Sequence, residues 1–302
     1  MDFSIIIPQR NSLGTLHRLF DTIPLKDNIE IILADNSPEP ITKEQINIDR
    51  DYTLCWSAPE RFAGGARNEG MSHGHGKWLI FSDADDFFTE EAFRVFQDYV
   101  DSDADVIYFT AEGVYPETGE KSEQADLYKS LVRNYLKGKE RDKEWELRLS
   151  FHVPWAKMVR RSFVENNNLK YDEVVANNDD FFALTVGYFA NKIEAVDKSV
   201  YYYAVSQGSI MRRRSKDVMR TRLEVILRCN QFKKQHGLGC YQGSVAYFLS
   251  EGLKYGPLTL FDFVRLIAKY HQNPFIGWKN WFSTFKRISA LEKKDKKYIT
   301  KE

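Results

Sequence analysis

Trp78-Leu79-Ile80-Phe81 runs directly into Ser82-Asp83-Ala84-Asp85-Asp86, four large apolar residues followed by a turn that carries three carboxylates. A short, unbroken apolar run bounded by turn chemistry is the pattern of a strand covered on both faces. Ligands of open α/β sheets sit outside the carboxyl ends of such strands, so Asp83, Asp85 and Asp86 mark the crevice where a ligand is expected. Carboxylates this close repel one another unless a cation or a hydrogen-bond network offsets them. A hard divalent cation on one or two of them, with phosphate and water as the remaining oxygen ligands, meets that need; a solvated acidic turn at a helix start is the plainer alternative.

Outward from this turn the same grammar repeats. Phe3-Ser4-Ile5-Ile6-Ile7-Pro8 reads as a buried central strand. Behind an Asn11 or Ser12 cap, Leu16, Leu19, Phe20 and Ile23 fall at helical spacing. Ile29 to Ala34 forms a second strand, stopped by the turn residues Asp35-Asn36-Ser37-Pro38, and Tyr52 to Trp56 forms a third. A helix is expected from Gly65 to about Ser72, another behind a Thr89 cap with Glu90 and Glu91 in its first turn, and a strand over Val106 to Phe109. This alternation predicts an α/β fold, a mostly parallel sheet flanked by helices. Residues 111–150 are polar and read as a helical excursion with a loop; Val153 to Val159 then leads to a helix from about Arg161, Phe181 to Leu184 form an apolar helix, and Val200 to Tyr203 supply a late strand. Beyond Met211 the pattern turns helical and basic, which divides the chain into a body, 1–210, and a C-terminal helical extension, 211–302. Equal totals of 43 basic and 43 acidic residues conceal this division: the body carries a balance of −13 and the extension +13.

Several classes are excluded or disfavoured. Cys55, Cys229 and Cys240 are too few, and wrongly spaced, for a disulfide scaffold or a zinc site, so a reducing cytoplasm is the expected compartment. Met1-Asp2 leads straight into a strand, without the pattern of a secretory leader, and no apolar stretch reaches the roughly 18 residues that span a bilayer. No nucleic-acid-binding module accompanies the basic charge. Pro8-Gln9-Arg10-Asn11 lacks the glycines of a dinucleotide fingerprint, and Gly74-His75-Gly76-Lys77-Trp78 lacks the spacing of a P-loop. Gly64-Gly65-Ala66-Arg67-Asn68 permits close backbone approach at a helix start, where Arg67 offers a planar fork to a phosphate or a base edge. Asp35, at another strand end, is placed to accept from a ribose or base or else to form its turn. His73 and His75, two apart, face different directions and make a poor metal pair. Converging on one crevice, these strand ends describe a nucleotide-diphosphate pocket with a metal.

Ser4-Ile5-Ile6-Ile7-Pro8-Gln9-Arg10-Asn11, Leu33-Ala34-Asp35-Asn36-Ser37, Gly65-Ala66-Arg67-Asn68-Glu69-Gly70 and Phe81-Ser82-Asp83-Ala84-Asp85-Asp86, in this order and at these separations, closely resemble the family 2 glycosyltransferases with the GT-A fold. The likeness is strong over residues 3–110 and continues through Pro154 to Phe163, Asn178-Asp179-Asp180-Phe181-Phe182 and Tyr201-Tyr202-Tyr203. The resemblance implies an inverting transfer from a nucleotide-sugar donor, usually a UDP-sugar, in polysaccharide synthesis. It implies donor contacts at Pro8 and Asn11, Asp35 and Arg67 near the base, Asp83 near the ribose, and Asp85, with Asp83, on a manganese or magnesium ion. The family's Glu-Asp-x-x-Phe motif reads Asn178-Asp179-Asp180-Phe181-Phe182 here; aligned on Phe182 it names Asp179 as the base, and a one-residue shift would name Asp180. Asn178 in place of Glu keeps a non-catalytic nucleotide-sugar binder as an alternative. A phosphotransferase using Asp83 as nucleophile and Asp85 as acid/base is the rival from another class.

Two further features have two readings each. Trp155 suits either a platform for an acceptor sugar or the core. The run from Phe275 to Arg287, with Lys293-Lys294-Asp295-Lys296-Lys297 after it, suits either packing on the body or docking at an anionic membrane surface that presents a lipid-linked saccharide.

Overall fold

Three consecutive isoleucines, Ile5 to Ile7, have no exposed surface, because the strand they form is central and covered on both faces. This strand, β1 (Phe3–Gln9), pairs in parallel with β2 (Ile29–Asp35) on one side and with β4 (Trp78–Phe81) on the other, setting Ile6 between Ile32 and Phe81. β3 (Thr53–Trp56) extends the parallel set beyond β2. Gln9, Asp35, Trp56 and the Ser82–Asp86 turn therefore emerge at one end of the sheet.

The computed structural model describes residues 1–138, 140–205 and 215–276. They fall into two units, Met1–Val174 with Phe182–Val205, and Val175–Phe181 with the chain from Ser206 onward. The first unit holds the whole nine-stranded sheet, whose main path runs β3-β2-β1-β4-β8-β6-β9-β5. The parallel expectation holds for β3, β2, β1 and β4, and the other half is mixed. There β6 (Val106–Val114) pairs in parallel with β9 (Ile193–Ala204), whereas β8 (Lys157–Arg160) lies antiparallel between β4 and β6. β5 (Phe87–Phe88) and β7 (Lys121–Ser122) add short antiparallel edges. The polar stretch after Val114 contains two helices, α5 (Asp126–Gly138) and α6 (Arg141–Ser150), which return the chain to the sheet end that β6 left, so β8 runs back antiparallel.

Helices fix the geometry around the strand ends. α1 (Leu13–Asp21) buries Leu16, Leu19 and Phe20, as their spacing requires. α2 (Lys43–Ile46) is a single turn with a Thr42–Gln45 capping box. α3 (Phe62–Ser72) starts three residues before Gly65 and lies so close to β1 that a Cβ on Gly70 would sit 2.6 Å from Ile6 Cγ2. α4 (Ala92–Asp98) begins later than a Thr89 cap would place it, because the Thr89 hydroxyl donates to the Ser199 carbonyl at 2.9 Å instead. α7 (Arg161–Asn166) and α8 (Asp180–Phe189) complete the helices before β9.

In the second unit, Ser215 caps α9 (Lys216–Gln235) by accepting from the Val218 amide. This helix packs with α10 (Ala246–Lys254) and α11 (Pro257–Lys269) around Met219, Leu223, Leu227, Phe248, Phe263 and Leu266. Among the described residues no helix is long and apolar enough to cross a membrane. Apart from Phe275 and Ile276, the aromatic and basic C-terminal run lies outside the described residues.

Gly70→Ala is expected to cost about 1–3 kcal/mol through overpacking against Ile6, in spite of the better helix propensity of alanine. Gly14→Ala, where nothing lies within 4 Å, is expected to be neutral or stabilising. Urea denaturation of both variants checks this; equal effects would contradict the close approach of α3 to β1.

Candidate functional site

The Asp83–Asp86 segment is a closed turn, with the Asp86 amide donating to the Asp83 carbonyl at 3.1 Å. α1 grips it from below: Thr15 Oγ1 donates to the Ala84 carbonyl at 2.7 Å, and Arg18 Nη2 to the Asp85 carbonyl at 2.5 Å. The Arg18 guanidinium also lies 4.7 Å from the Phe87 ring centroid, which holds the turn and β5 to the same helix.

The three carboxylates have different fates. Asp86 is 1% exposed; it accepts from the Ala204 amide at 2.7 Å and from the Tyr201 hydroxyl at 2.8 Å. Burial first, then the neighbouring Asp85 and Asp83 charges, push the Asp86 carboxyl well above the ordinary aspartate range, against the pull of those two donors. The Tyr201 hydroxyl in turn accepts from the Asp83 amide at 2.9 Å, so one phenol ties the two ends of the turn to β9. Asp83 and Asp85 remain half-buried. Asp83 Oδ1 accepts from Arg67 Nη2 at 2.6 Å, and the buried Arg67 guanidinium packs 5.3 Å from the Tyr171 ring.

Asp35 is 1% exposed, and its oxygens accept from its own loop and from Gln9 at the end of β1. Oδ1 accepts from the Ser37 amide at 3.0 Å and from Gln9 Nε2 at 3.3 Å, and Oδ2 from the Ile41 amide at 2.9 Å. Asp35 thereby builds the loop at the end of β2. Pro8 is buried in β1 opposite Ala34. Asn11 is exposed at φ 57°, a left-handed turn that asparagine tolerates. Sequence reasoning missed Gln9, Thr15, Arg18 and Tyr201. Gln9 left a trace there in the motif after the first strand, and Tyr201 as one of three tyrosines in a late strand.

Trp155 is 3% exposed and stacks on Tyr201 at 5.3 Å and 11°, so it belongs to the core beneath the turn and not to an acceptor platform. His75 is bound to Glu30, whose carboxylate also accepts from Ser4 Oγ and the Gly76 amide. Burial acts to raise Glu30, yet the hydrogen bonds from Ser4, His75 and Gly76 hold it below the usual glutamate range. Among the described residues no group of three His, Cys, Asp or Glu side chains is placed to hold a metal unaided. A divalent ion at Asp83 and Asp85 would thus need diphosphate and water oxygens to complete its shell, and these hard oxygen donors fit magnesium or manganese. A 460 Å³ cleft lined by Arg141, Trp145, Arg148, Tyr188 and Asn191 lies at the opposite end, before the start of β9.

Asn178, Asp179 and Asp180 belong to the second unit. Asp180 opens α8 and accepts from Asn177 Nδ2 at 2.8 Å. Within this unit Phe181 lies 4.7 Å from the Arg228 guanidinium and 5.7 Å from the Phe232 ring. Burial pushes the neighbouring Lys233 ammonium down, and the Asp180 charge opposes that shift.

The description of glycosyl transferase family 2 matches residues 4–167, more than half of the chain. The chain belongs to this family. EpsH of Bacillus subtilis, named as a glycosyltransferase, is 26% identical over 214 residues, 65% of this chain and 58% of that protein. The poly(ribitol-phosphate) beta-N-acetylglucosaminyltransferase TarS of Staphylococcus aureus is 22% identical over 217 residues, 68% of this chain and 36% of that protein. The chain thus spans little more than half, or less, of these relatives. The structure of TarS residues 1–349 with UDP-GlcNAc aligns over 89% of this chain and 80% of its own, with a TM-score of 0.63 at 19% identity. A mannosyltransferase of Pyrobaculum calidifontis, solved with GDP-Man and Mn2+, aligns over 98% of this chain and 84% of its own, with a TM-score of 0.56 at 12% identity. These likenesses show the fold: the mixed sheet with flanking helices and a helical C-terminal part is the GT-A arrangement.

Removing the hydroxyl in Tyr201→Phe strands the Asp83 amide and an Asp86 oxygen in a buried place. The expected cost is about 1–3 kcal/mol of stability. Tyr202→Phe, on the half-buried neighbour, should leave stability unchanged. Chemical denaturation of both variants checks this; an unaffected Tyr201→Phe would remove the phenol from the account.

Proposed function

We propose that the protein is a metal-dependent inverting glycosyltransferase that moves a sugar from a nucleotide-sugar donor, a UDP-sugar, to a saccharide or lipid-linked saccharide acceptor in surface glycan synthesis. The observation that carries this reading is the division of labour in the acidic turn. Asp86 is buried as its anchor, while Asp83 and Asp85 stay partly open at the strand ends of a family 2 chain. Further support comes from the ligands named for structural neighbours, UDP-GlcNAc in one and GDP-Man with Mn2+ in the other.

In this reading the loops after β1 and β2, with Pro8, Asn11 and Asp35, form the wall that receives the base. Arg67 orients Asp83 toward the ribose through their 2.6 Å pair, and Asp85, with Asp83, holds the metal. When bound, that ion supplies Lewis-acid stabilisation for charge that develops on the departing diphosphate. Asp179 takes the proton of the acceptor hydroxyl as its oxygen attacks the anomeric carbon from the face opposite the nucleotide. The bond to the diphosphate breaks and the configuration inverts, an arrangement that parallels inverting glycosidases. Asp179 is the base that the motif names when aligned on Phe182, and Asp180 opens α8 and accepts from Asn177. Use of Asp83 as a phosphoryl acceptor is disfavoured, because its carboxylate is pinned by Arg67. In this reading the protein acts in the cytoplasm, and a lipid-linked acceptor would be met at the inner face of the cell membrane.

Asp85→Ala and Asp179→Ala should each reduce transfer at least about a hundredfold, the scale of a lost metal ligand or general base. Only Asp85→Ala should abolish manganese-dependent binding of UDP in calorimetry, and Asp180→Asn should retain most transfer. Equal loss of UDP binding in the two alanine variants would contradict their separate roles.

A further inference from the structure

Ten large apolar side chains stand exposed among the described residues, and five of them, Leu253, Leu258, Phe261, Val264 and Phe275, fall within 23 residues of the second unit. Leu258, Phe261 and Val264 recur every third residue along α11 and are 82%, 69% and 48% exposed, whereas Phe263, Leu266 and Ile267 of the same helix are buried in the core of the unit. The helix is thus apolar on two faces, and its own core satisfies only one of them.

The charge beside the unsatisfied face has one sign. Arg265 and Lys269 are exposed on α11, and Lys254 is exposed at the end of α10. The single carboxylate of α11, Asp262, accepts from Arg220 at 3.0 Å, and Glu251 of α10 is buried against Lys254. A second copy of the chain docked on this face would bring a cationic rim against the same cationic rim. A surface with an apolar interior and anionic groups at its boundary matches both features at once.

We propose that the exposed face of α11 inserts into the interface of an anionic lipid bilayer, with Leu258, Phe261 and Val264 at acyl-chain depth and Arg265 and Lys269 at the phosphate level. This deepens the functional reading above by naming the surface on which a lipid-linked acceptor would meet the protein. It places the docking element on α11, upstream of the aromatic run that the sequence suggested.

The test is sedimentation of the full chain with vesicles of pure phosphatidylcholine and of phosphatidylcholine mixed with phosphatidylglycerol, at low and high salt. The face predicts binding to the anionic vesicles only, weakened by salt, and a loss of about tenfold or more in Leu258→Ser/Phe261→Ser. Because both positions are exposed and belong to the second unit, whereas the acidic turn belongs to the first, the variant should keep wild-type manganese-dependent UDP binding. That readout separates failure of the donor site from failure of docking. No binding by the wild type, or full binding by the variant, would overturn the proposal. So would a change of oligomeric state in the variant, which would assign the face to a second copy.

Discussion

Keeping three carboxylates at the end of one strand requires that their repulsion be offset before any ligand arrives, and the structure does this unequally. Asp86 is taken out of water and held by the Tyr201 hydroxyl and the Ala204 amide, while Asp83 is steadied by Arg67. The backbone carbonyls between them are drawn toward α1 by Thr15 and Arg18. A turn braced from a helix and from a distant strand presents Asp83 and Asp85 in a fixed place. Preorganised oxygens of this kind bind a cation without the entropic cost of ordering the loop.

That bracing explains why the far half of the sheet matters to a site built on the near half. β9 delivers Tyr201 and Ala204 to the acidic turn, and Trp155, stacked flat on Tyr201, supports the phenol from the core. The bulge that shifts the β6–β9 register between Phe109 and Ala111 re-aims the strand just before it pairs Ala111 with Tyr201. On the other side, the absence of a Cβ at Gly70 lets α3 approach β1, and Arg67 lies one turn earlier on that helix.

The near half of the fold is legible in the sequence because its strands are unbroken apolar runs, such as Ile5-Ile6-Ile7 and Trp78-Leu79-Ile80-Phe81, each stopped by turn chemistry. In the far half the strands at Val106–Phe109 and Val200–Tyr203 are read, but not their full extents nor the antiparallel Lys157–Arg160 strand, because Thr110, Glu112, Lys157 and Arg160 mix polar with apolar residues. Within the site the acidic turn and Arg67 are readable, since charge clusters at strand ends are rare and costly. Gln9, Thr15 and Arg18 are not, because a side-chain pair across two strands, or a hydrogen bond from side chain to backbone, leaves no pattern in sequence. Thr89 shows the converse error. A residue with good capping chemistry was claimed by a nearby strand carbonyl.

The central claim is that this braced turn is the metal and diphosphate seat of a nucleotide-sugar site. A crystal structure with UDP and manganese bound tests it most directly. The account predicts manganese bonded to an Asp85 oxygen and to the diphosphate, the uridine against the loops after β1 and β2, and Tyr201 still bridging Asp83 and Asp86. Nucleotide seated instead in the Arg141, Trp145 and Arg148 cleft at the opposite strand ends, with Asp85 free of metal, would contradict it.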